Sequence, residues 1–301
     1  MEFLKRRMWI VFAVFAAILW GLWGVVSKIN SESSSPFMNH ILFTLGMVIT
    51  VPLVIKNTKK TAFNRKGFLW GMASGVFAVA GNLAIYFAFV KGAQASVAIP
   101  VTGLYPLVTI VLAFFMFNEK VNWVQLIGIL IAIPAIILLS GEYAIFSNTA
   151  NFFGIIDFGG WFVLCLVALF CWGIFSALQK KASNFTSASW CYISFIISAI
   201  IISIFFIGNN LAANSLNPKI LALGILAGVL NGFGVLLSFS AYRANGKAGT
   251  VTVIIGVLQP IFTILPAVLI LNEKLNTYMV IGIILAIIGS VFLSFEKKNS
   301  G

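Results

Sequence analysis

Long apolar runs alternate with short polar connections along the whole chain. Most runs are about 20 residues long, which is the length that an α-helix needs to cross the hydrocarbon layer of a bilayer. Runs such as 125–139 show no alternation of apolar and polar positions, so they do not match the strands of a membrane β-barrel. The pattern predicts an all-α integral membrane protein with ten transmembrane helices, near residues 9–28, 37–55, 67–90, 95–116, 122–140, 160–180, 188–207, 219–241, 248–270 and 277–295.

The basic residues predict the orientation of these helices. If the N-terminus is cytoplasmic and ten helices alternate in direction, all but four of the 19 Lys and Arg residues fall on the cytoplasmic side. An excess of Lys and Arg on that side is the rule for membrane proteins. We therefore expect a multi-pass protein of the cell (inner) membrane with both termini in the cytoplasm. The four exceptions are Lys28, Lys91, Lys219 and Lys274.

Composition excludes several classes of protein. The chain is 61% hydrophobic and only 9% charged, whereas soluble domains are about 45–50% apolar and about 25% charged. The net charge of +12 is spread over short clusters beside the apolar runs, so nucleic acid is not an expected partner. Cys165, Cys171 and Cys191 lie in or beside apolar runs without a CxxC pair or histidine cluster, so neither a disulfide framework nor a metal site is expected.

The second half of the chain repeats the first. Each copy holds five predicted helices, an odd number, so the second copy must enter the membrane from the opposite side. Inverted repeats of this kind are typical of secondary transporters, whose solute site lies near the midplane between the copies. The predicted division is a first repeat at 1–141, an external linker at 142–159 and a second repeat at 160–301. Matching positions include Trp20-Gly21 and Trp172-Gly173, Pro106 and Pro260, Thr109 and Thr263, and the Asn-Glu-Lys tripeptides at 118–120 and 272–274.

These paired Trp-Gly helices and paired Asn-Glu-Lys elements, each followed by Gly128 or Gly282, resemble the two EamA domains of the drug/metabolite transporter superfamily. The resemblance extends from about residue 9 to residue 295. It implies the export or exchange of metabolites such as amino acids, and it does not identify the substrate.

Polar and aromatic residues near the middle of the runs are the candidates for contact with a solute. An amide or hydroxyl group facing lipid would be costly, so these side chains should face protein or a watery cavity. Hydrogen bonding between helices is the alternative role for some of them. The candidate substrate-binding residues are Trp20, Trp23, Asn82, Tyr86, Thr102, Tyr105, Asn231 and Gln259.

Two further pairs occupy matching positions of the repeats. Pro106 and Pro260 each remove a backbone hydrogen bond, so each predicts a fixed bend or a hinge. Glu119 and Glu273 lie in very short connections before a helix, where a carboxylate can cap exposed N–H groups. They are therefore interpreted as helix caps or, alternatively, as gate charges that pair with a lysine.

The leading functional hypothesis is a secondary transporter with an aromatic and amide-lined cavity for small uncharged or zwitterionic metabolites. No Asp or Glu lies deep within a run, which weakens the alternative of a proton-coupled drug efflux carrier. One histidine and no buried acid argue against a lipid-acting membrane enzyme, and no cofactor or nucleotide-binding loop is expected. A channel and a non-transporting scaffold are the remaining classes. Ten helices can enclose a pathway within one chain, so a monomer suffices and a dimer stays open.

Overall fold

The computed structural model of this chain describes residues 2–59, 61–118, 122–139, 160–210 and 217–294. The predicted linker at 142–159 and the candidate Glu119 lie outside the described residues. The described residues are almost entirely helical, and they contain no strand. The helices are α1 Glu2–Ser31, α2 Pro36–Thr58, α3 Arg65–Val90, α4 Ala95–Thr102, α5 Pro106–Phe117, α6 Trp123–Leu139, α7 Gly160–Phe185, α8 Ala188–Asn210, α9 Pro218–Arg243, α10 Ala248–Ile270 and α11 Thr277–Ser294.

These helices make ten membrane-crossing segments, because α4 and α5 together form one of them. Eight segments are long and apolar enough to cross a membrane, and the remaining two, α6 and α11, are shorter apolar helices. The prediction of an all-α protein with ten transmembrane helices in two inverted repeats is confirmed. In repeat order, α1 to α6 form the first copy and α7 to α11 the second.

The fourth segment, predicted as one continuous helix, is broken before Pro106. Pro106 has no N–H to donate to the Thr102 carbonyl, so the regular helical pattern cannot continue through it. The chain passes the break with tighter bonds, from the amide of Leu104 to the carbonyl of Val101 and from that of Tyr105 to that of Thr102. Helix α5 then begins at Pro106 itself, the position at which a missing N–H costs least.

The two copies interlock at the centre of the bundle. Helix α1 packs against α9 and α10 of the second copy, and its mate α7 packs against α3, α4 and α5 of the first. Glycines permit the closest approaches: a Cβ on Gly46 of α2 would lie 2.8 Å from the Cα of Gly228 in α9. The interface between copies therefore runs through the middle of the protein, while α6 and α11 pack against each other at one side.

One end of the bundle gathers the last turns of α1 and α3 with the start of α4. Nζ of Lys28 in α1 donates to the carbonyl of Phe89 in α3 at 3.4 Å. The backbone N–H of Ala95 in α4 donates to the side chain of Glu273, which follows α10. We call this the Ser31 end, after the last residue of α1.

The opposite end gathers the last turns of α7 and α9. Nζ of Lys180, the repeat mate of Lys28, donates to the carbonyl of Gly246 at 2.8 Å. Arg243 of α9 donates to the carbonyl of Ser183 in α7 at 3.2 Å. We call this the Phe185 end, after the last residue of α7; it corresponds to the side predicted to face the cytoplasm.

Candidate solute site

A cavity lies at the interface of the two copies, near the middle of the helices that line it. The empty space between its lining side chains is about 360 Å³, counting the part that is open to solvent. Both copies contribute, through α1 and α3 on one side and α7 to α10 on the other. The lining residues are Trp20, Trp23, Ala78, Asn82, Tyr105, Trp172, Phe175, Phe195, Asn231, Val235 and Gln259.

Four aromatic side chains from the two equivalent first helices form one wall of the cavity. The rings of Trp23 and Trp172 meet edge to face with centroids 5.7 Å apart, and those of Trp20 and Phe175 lie 6.2 Å apart. Trp20 and Trp172 are repeat mates, as are Trp23 and Phe175. Each pair of contacting rings therefore joins the two copies, with the separations typical of aromatic pairs.

A glycine of the other copy lies against each of the paired tryptophans, Trp20 and Trp172. The helices α3 and α9 have the same length of 26 residues, and Gly81 and Gly234 occupy the same position in them. A Cβ on Gly234 would lie 2.5 Å from Nε1 of Trp20, and one on Gly81 would lie 2.5 Å from Nε1 of Trp172. Each indole thus rests directly on the backbone of a helix from the other copy.

The amide groups in the cavity are arranged asymmetrically. In register, Asn82 of α3 corresponds to Val235 of α9, and Asn231 corresponds to Ala78, so the two amides lie one helical turn apart. Asn82 accepts a hydrogen bond from Trp172. Oδ1 of Asn231 has no hydrogen-bond partner among the described residues. The cavity is therefore nearly symmetric in shape but not in polarity.

Unpaired polar groups in the cavity could bind a solute. Nε1 of Trp20 and Nε1 of Trp23 are buried donors without a partner among the described residues. The amide of Gln259 is almost fully buried at the same level of the bundle, with 3% of the residue exposed. The residues that line the cavity include no Asp, Glu, Lys, Arg or His. The site therefore offers indole donors, amide groups and aromatic faces, and no formal charge.

The structure brings six of the eight predicted binding residues together around this cavity: Trp20, Trp23, Asn82, Tyr105, Asn231 and Gln259. The other two lie elsewhere. Tyr86 packs behind Trp23, with ring centroids 6.2 Å apart. The hydroxyl of Thr102 donates to the carbonyls of Ala98 and Ile99 in its own helix, both at 3.0 Å. Tyr86 and Thr102 are therefore not lining residues in this conformation.

The sequence candidates did not include the lining residues Trp172, Phe175, Ala78, Phe195 and Val235. The internal repeat contained the signal for two of them, because Trp172 and Phe175 are the mates of Trp20 and Trp23. Ala78, Phe195 and Val235 are ordinary apolar residues whose positions only the packing of the helices reveals.

The paired prolines lie at the contact between the copies. Pro106 begins α5, whereas Pro260 lies inside α10, which continues through it. A Cβ on Gly256 would lie 2.9 Å from Cγ of Pro106, and one on Gly103 would lie 3.0 Å from Cγ of Pro260. Each proline ring thus packs on a glycine of the other copy; a hinge at either position stays a prediction.

Glu273 caps a helix of the other copy. Its carboxylate accepts from the backbone N–H groups of Ala95 and Ser96 at 2.8 Å each, and from the Ser96 hydroxyl at 2.5 Å. These groups form the first turn of α4, whose own N-cap residue Gln94 makes no capping bond. The contact is a capping interaction, made to α4 rather than to the helix that follows Glu273; whether Glu273 also acts as a gate stays a prediction.

No group of three His, Cys, Asp or Glu side chains that could hold a metal ion occurs in the described part of the chain. The three cysteines are free. The polar groups that line the cavity belong to its tryptophans, its amides and Tyr105.

The pattern of the EamA-like transporter family matches residues 7–141 and 159–295. An uncharacterized transporter of Clostridium kluyveri is 23% identical over 96% of this chain and 94% of its own length. An uncharacterized protein of Methanocaldococcus jannaschii is 28% identical over 44% of this chain and 95% of its own length. One crystal structure shares the fold, with a TM-score of 0.63 at 14% identity over 94% of this chain and 95% of that one. The chain belongs to the EamA-like transporter family and is a multi-pass membrane transporter.

Proposed function

We propose that the protein is a secondary transporter that moves small uncharged or zwitterionic metabolites, such as amino acids, by alternating access. The observation that carries the proposal is the composition of the central cavity. Three tryptophans and three amides converge there from both copies, and none of the lining residues is an Asp, Glu, Lys, Arg or His. A net ionic solute would be desolvated in such a site without a compensating charge.

The polar groups of the cavity suit a zwitterion. The indole N–H groups of Trp20 and Trp23 are donors that a carboxylate can accept from. The amide oxygens of Asn231 and Gln259 can accept from an ammonium group, and aromatic faces attract cations. Since these groups lie on different helices of the two copies, a relative movement of the copies would change the solute contacts, as alternating access requires.

We place the protein in the cell (inner) membrane with both termini cytoplasmic, on the basis of the Lys and Arg distribution. Export or exchange is the proposed direction, and it rests on the family resemblance alone. A proton-coupled drug efflux carrier is the second candidate. It is less well supported, because a proton relay within a membrane normally uses a carboxylate or histidine, and no such residue lines the cavity.

Counterflow in liposomes tests the proposal. Purified protein is reconstituted, loaded with an unlabelled solute, and supplied with labelled amino acids and other small neutral metabolites one at a time. The compared variants are Asn82→Ala and Gln259→Ala. We expect saturable exchange of one solute class, with a weaker apparent affinity in both variants.

Gln125→Ala is a matched control for the loss of a buried amide. Gln125 lies in α6, where its Nε2 donates to the carbonyl of Leu293 in α11 at 3.2 Å, and it is not a cavity residue. Its variant should exchange the solute with wild-type affinity. Exchange that depends on a proton gradient and accepts only lipophilic cations would favour drug efflux instead. A folded protein that exchanges no compound of the panel would contradict the proposed substrate class.

A further inference from the structure

A stripe of polar and aromatic residues runs along α1 from the cavity to the Ser31 end. It consists of Trp20, Trp23, Ser27 and Ser31, which are spaced three or four residues apart and so share one helix face. The first two line the cavity. Ser27 and Ser31 are 2% and 5% exposed, so this face stays inside the protein up to the end of the helix.

The mate of α1 carries the same stripe in the opposite direction. Trp172, Phe175, Gln179 and Ser183 occupy the equivalent positions of α7 and run from the cavity to the Phe185 end. Gln179 is fully buried and Ser183 is 2% exposed. The cavity therefore lies where two polar stripes meet, one leading to each end of the bundle.

Both stripes contain more polar groups than the helix contacts use. Some are paired: in the α1 stripe Ser31 donates to the carbonyl of Ser27 and accepts from Asn39, both at 2.8 Å, and in the α7 stripe Gln179 accepts from Ser238 at 3.0 Å. Others are buried with no partner among the described residues: Oγ of Ser27 in the first stripe, and Nε2 of Gln179 and Oγ of Ser183 in the second. Beside the stripes, Oδ1 of Asn30 and Oγ of Ser34 near the Ser31 end and Oγ1 of Thr186 near the Phe185 end are also unpaired among the described residues.

Leaving such a group unpaired in a closed interior is unfavourable, because the group loses its hydrogen bonds to water and gains none from the protein. Polar side chains that bond across helices stabilise a lipid-embedded protein, but these unpaired groups make no such bond in this conformation among the described residues. They are explained if each line becomes wet, or meets a polar solute, in a conformation that opens its end of the bundle.

Tyr86 lies across the first stripe. Its ring contacts Trp23 on the cavity side, with centroids 6.2 Å apart, and Phe43 of α2 at 6.4 Å. Its hydroxyl lies close to the side chains of Trp23 and Ser27, but neither reaches hydrogen-bond geometry with it. In this conformation Tyr86 therefore separates the cavity from the outer half of the α1 stripe.

We propose that the two stripes are the two halves of the solute route, with the α1 stripe lining access from the Ser31 end and the α7 stripe lining access from the Phe185 end. The proposal rests on the transport function proposed above and assigns the route residues Ser27, Ser31, Gln179 and Ser183. Opening at one end hydrates one stripe while the other stays packed.

Cysteine accessibility tests the route without knowledge of the solute. In the full chain with its three native cysteines replaced by alanine, Ser27→Cys or Ser183→Cys is introduced, since this exchange is nearly isosteric. A positively charged, membrane-impermeant methanethiosulfonate is added to one side of oriented membranes, and its attachment is followed by mass spectrometry. Ser33→Cys and Ala62→Cys, at exposed positions of the Ser31 and Phe185 ends, report the side from which each end is reached.

We expect Ser27→Cys to react only from the side that labels Ser33→Cys, and Ser183→Cys only from the side that labels Ala62→Cys. An open state populated at 0.1–10% would make both reactions about 10- to 1,000-fold slower than those of the exposed positions. Ser74→Cys is the matched control, because Ser74 is fully buried in α3 and donates to the carbonyl of Gly71 in its own helix; it should not react.

The outcomes separate this proposal from the proposed function. Reaction of neither route position above Ser74→Cys, or reaction of both from the same side, overturns the route even if counterflow succeeds. Side-specific reaction of both supports the route even if counterflow of the chosen metabolites fails, and that failure then counts against the proposed substrate class alone.

Discussion

Nε1 of Trp172 donates a 3.2 Å hydrogen bond to Oδ1 of Asn82. The repeat mate Trp20 makes no such bond, because the position equivalent to Asn82 is Val235, and its Nε1 is unpaired among the described residues. The two copies thus place an indole at the same position, but they differ in whether its N–H group donates a hydrogen bond to the protein. One tryptophan has its N–H engaged by the protein, and the other has its N–H unpaired among the described residues.

This asymmetry predicts different results for the same substitution in the two copies. Trp20→Phe removes an unpaired donor, so it should weaken the apparent solute affinity in counterflow by about 2- to 10-fold, the worth of one hydrogen bond, and leave thermal stability nearly unchanged. Trp172→Phe leaves the carbonyl of Asn82 unpaired, so it should also lower the melting temperature. Trp161→Phe, at the start of α7 and away from the cavity, is the control. Equal losses of stability in the two cavity variants would contradict this assignment.

Gly234→Ala should damage the cavity through Trp20. The new Cβ would lie 2.5 Å from Nε1 of the indole, so the ring must move towards the cavity or the helices must separate. Overpacking of this kind costs about 1–3 kcal/mol, and we expect a lower melting temperature together with strongly reduced exchange.

Gly160→Ala is the control for this substitution, since its Cβ would meet only the flexible end of Lys91, at 3.3 Å. It should keep wild-type exchange and stability. A Gly234→Ala protein that exchanges solute like the wild type would show that the close contact between Gly234 and Trp20 is not required for transport.

Glu273→Gln separates the two interpretations of this carboxylate. The carboxylate accepts from two backbone N–H groups and one hydroxyl at the start of α4, and helix caps are typically worth about 0.5–2 kcal/mol. We expect a stability loss of that size, measured by thermal unfolding in detergent, with Glu32→Gln as an exposed control. An unchanged melting temperature with a changed maximal exchange rate would instead favour the gate interpretation.

The transmembrane helices were predictable from the sequence because the bilayer imposes one requirement, length and apolarity, on each of them. The inverted relation of the halves followed from the odd number of helices in each repeat. The break in the fourth segment was predictable only in part: Pro106 indicated a disturbance, but its mate Pro260 lies within a helix that continues. The same residue type therefore begins a helix at one position and is accommodated within a continuous helix at the other.

The candidate site was harder to predict than the fold. Mid-span polarity selected Asn82, Asn231 and Gln259, and all three line the same cavity, since lipid excludes such groups from the outer faces. The same criterion also selected Thr102, which does not line the cavity. A threonine hydroxyl can donate to a carbonyl of its own helix, so its presence in a membrane span does not indicate a cavity. Glu273 was placed in a capping role, but its target in the other copy depends on tertiary packing that no local pattern contains.

Two matching threonines tie the copies together and make the last prediction. Oγ1 of Thr263 donates to the carbonyl of Gly21 at 2.9 Å, and Oγ1 of its mate Thr109 donates to the carbonyl of Gly173 at 3.0 Å. Thr263→Val keeps the side-chain shape and removes the donor, so it should destabilise the protein by about 0.5–1.5 kcal/mol. Thr109→Val should have an effect of the same size.

Thr102→Val is the matched control, because the buried hydroxyl of Thr102 bonds only to its own helix and should cost less. Unfolding in detergent measures all three variants, and the double variant Thr109→Val/Thr263→Val should show additive losses within about 0.5 kcal/mol if the two contacts are independent. Additivity would mean that the contact between α1 and α10 and the contact between α5 and α7 stabilise the protein independently of each other. A loss for Thr102→Val as large as that for Thr263→Val would show that the hydroxyl acts mainly within its own helix and that these two bonds between the copies add little to stability.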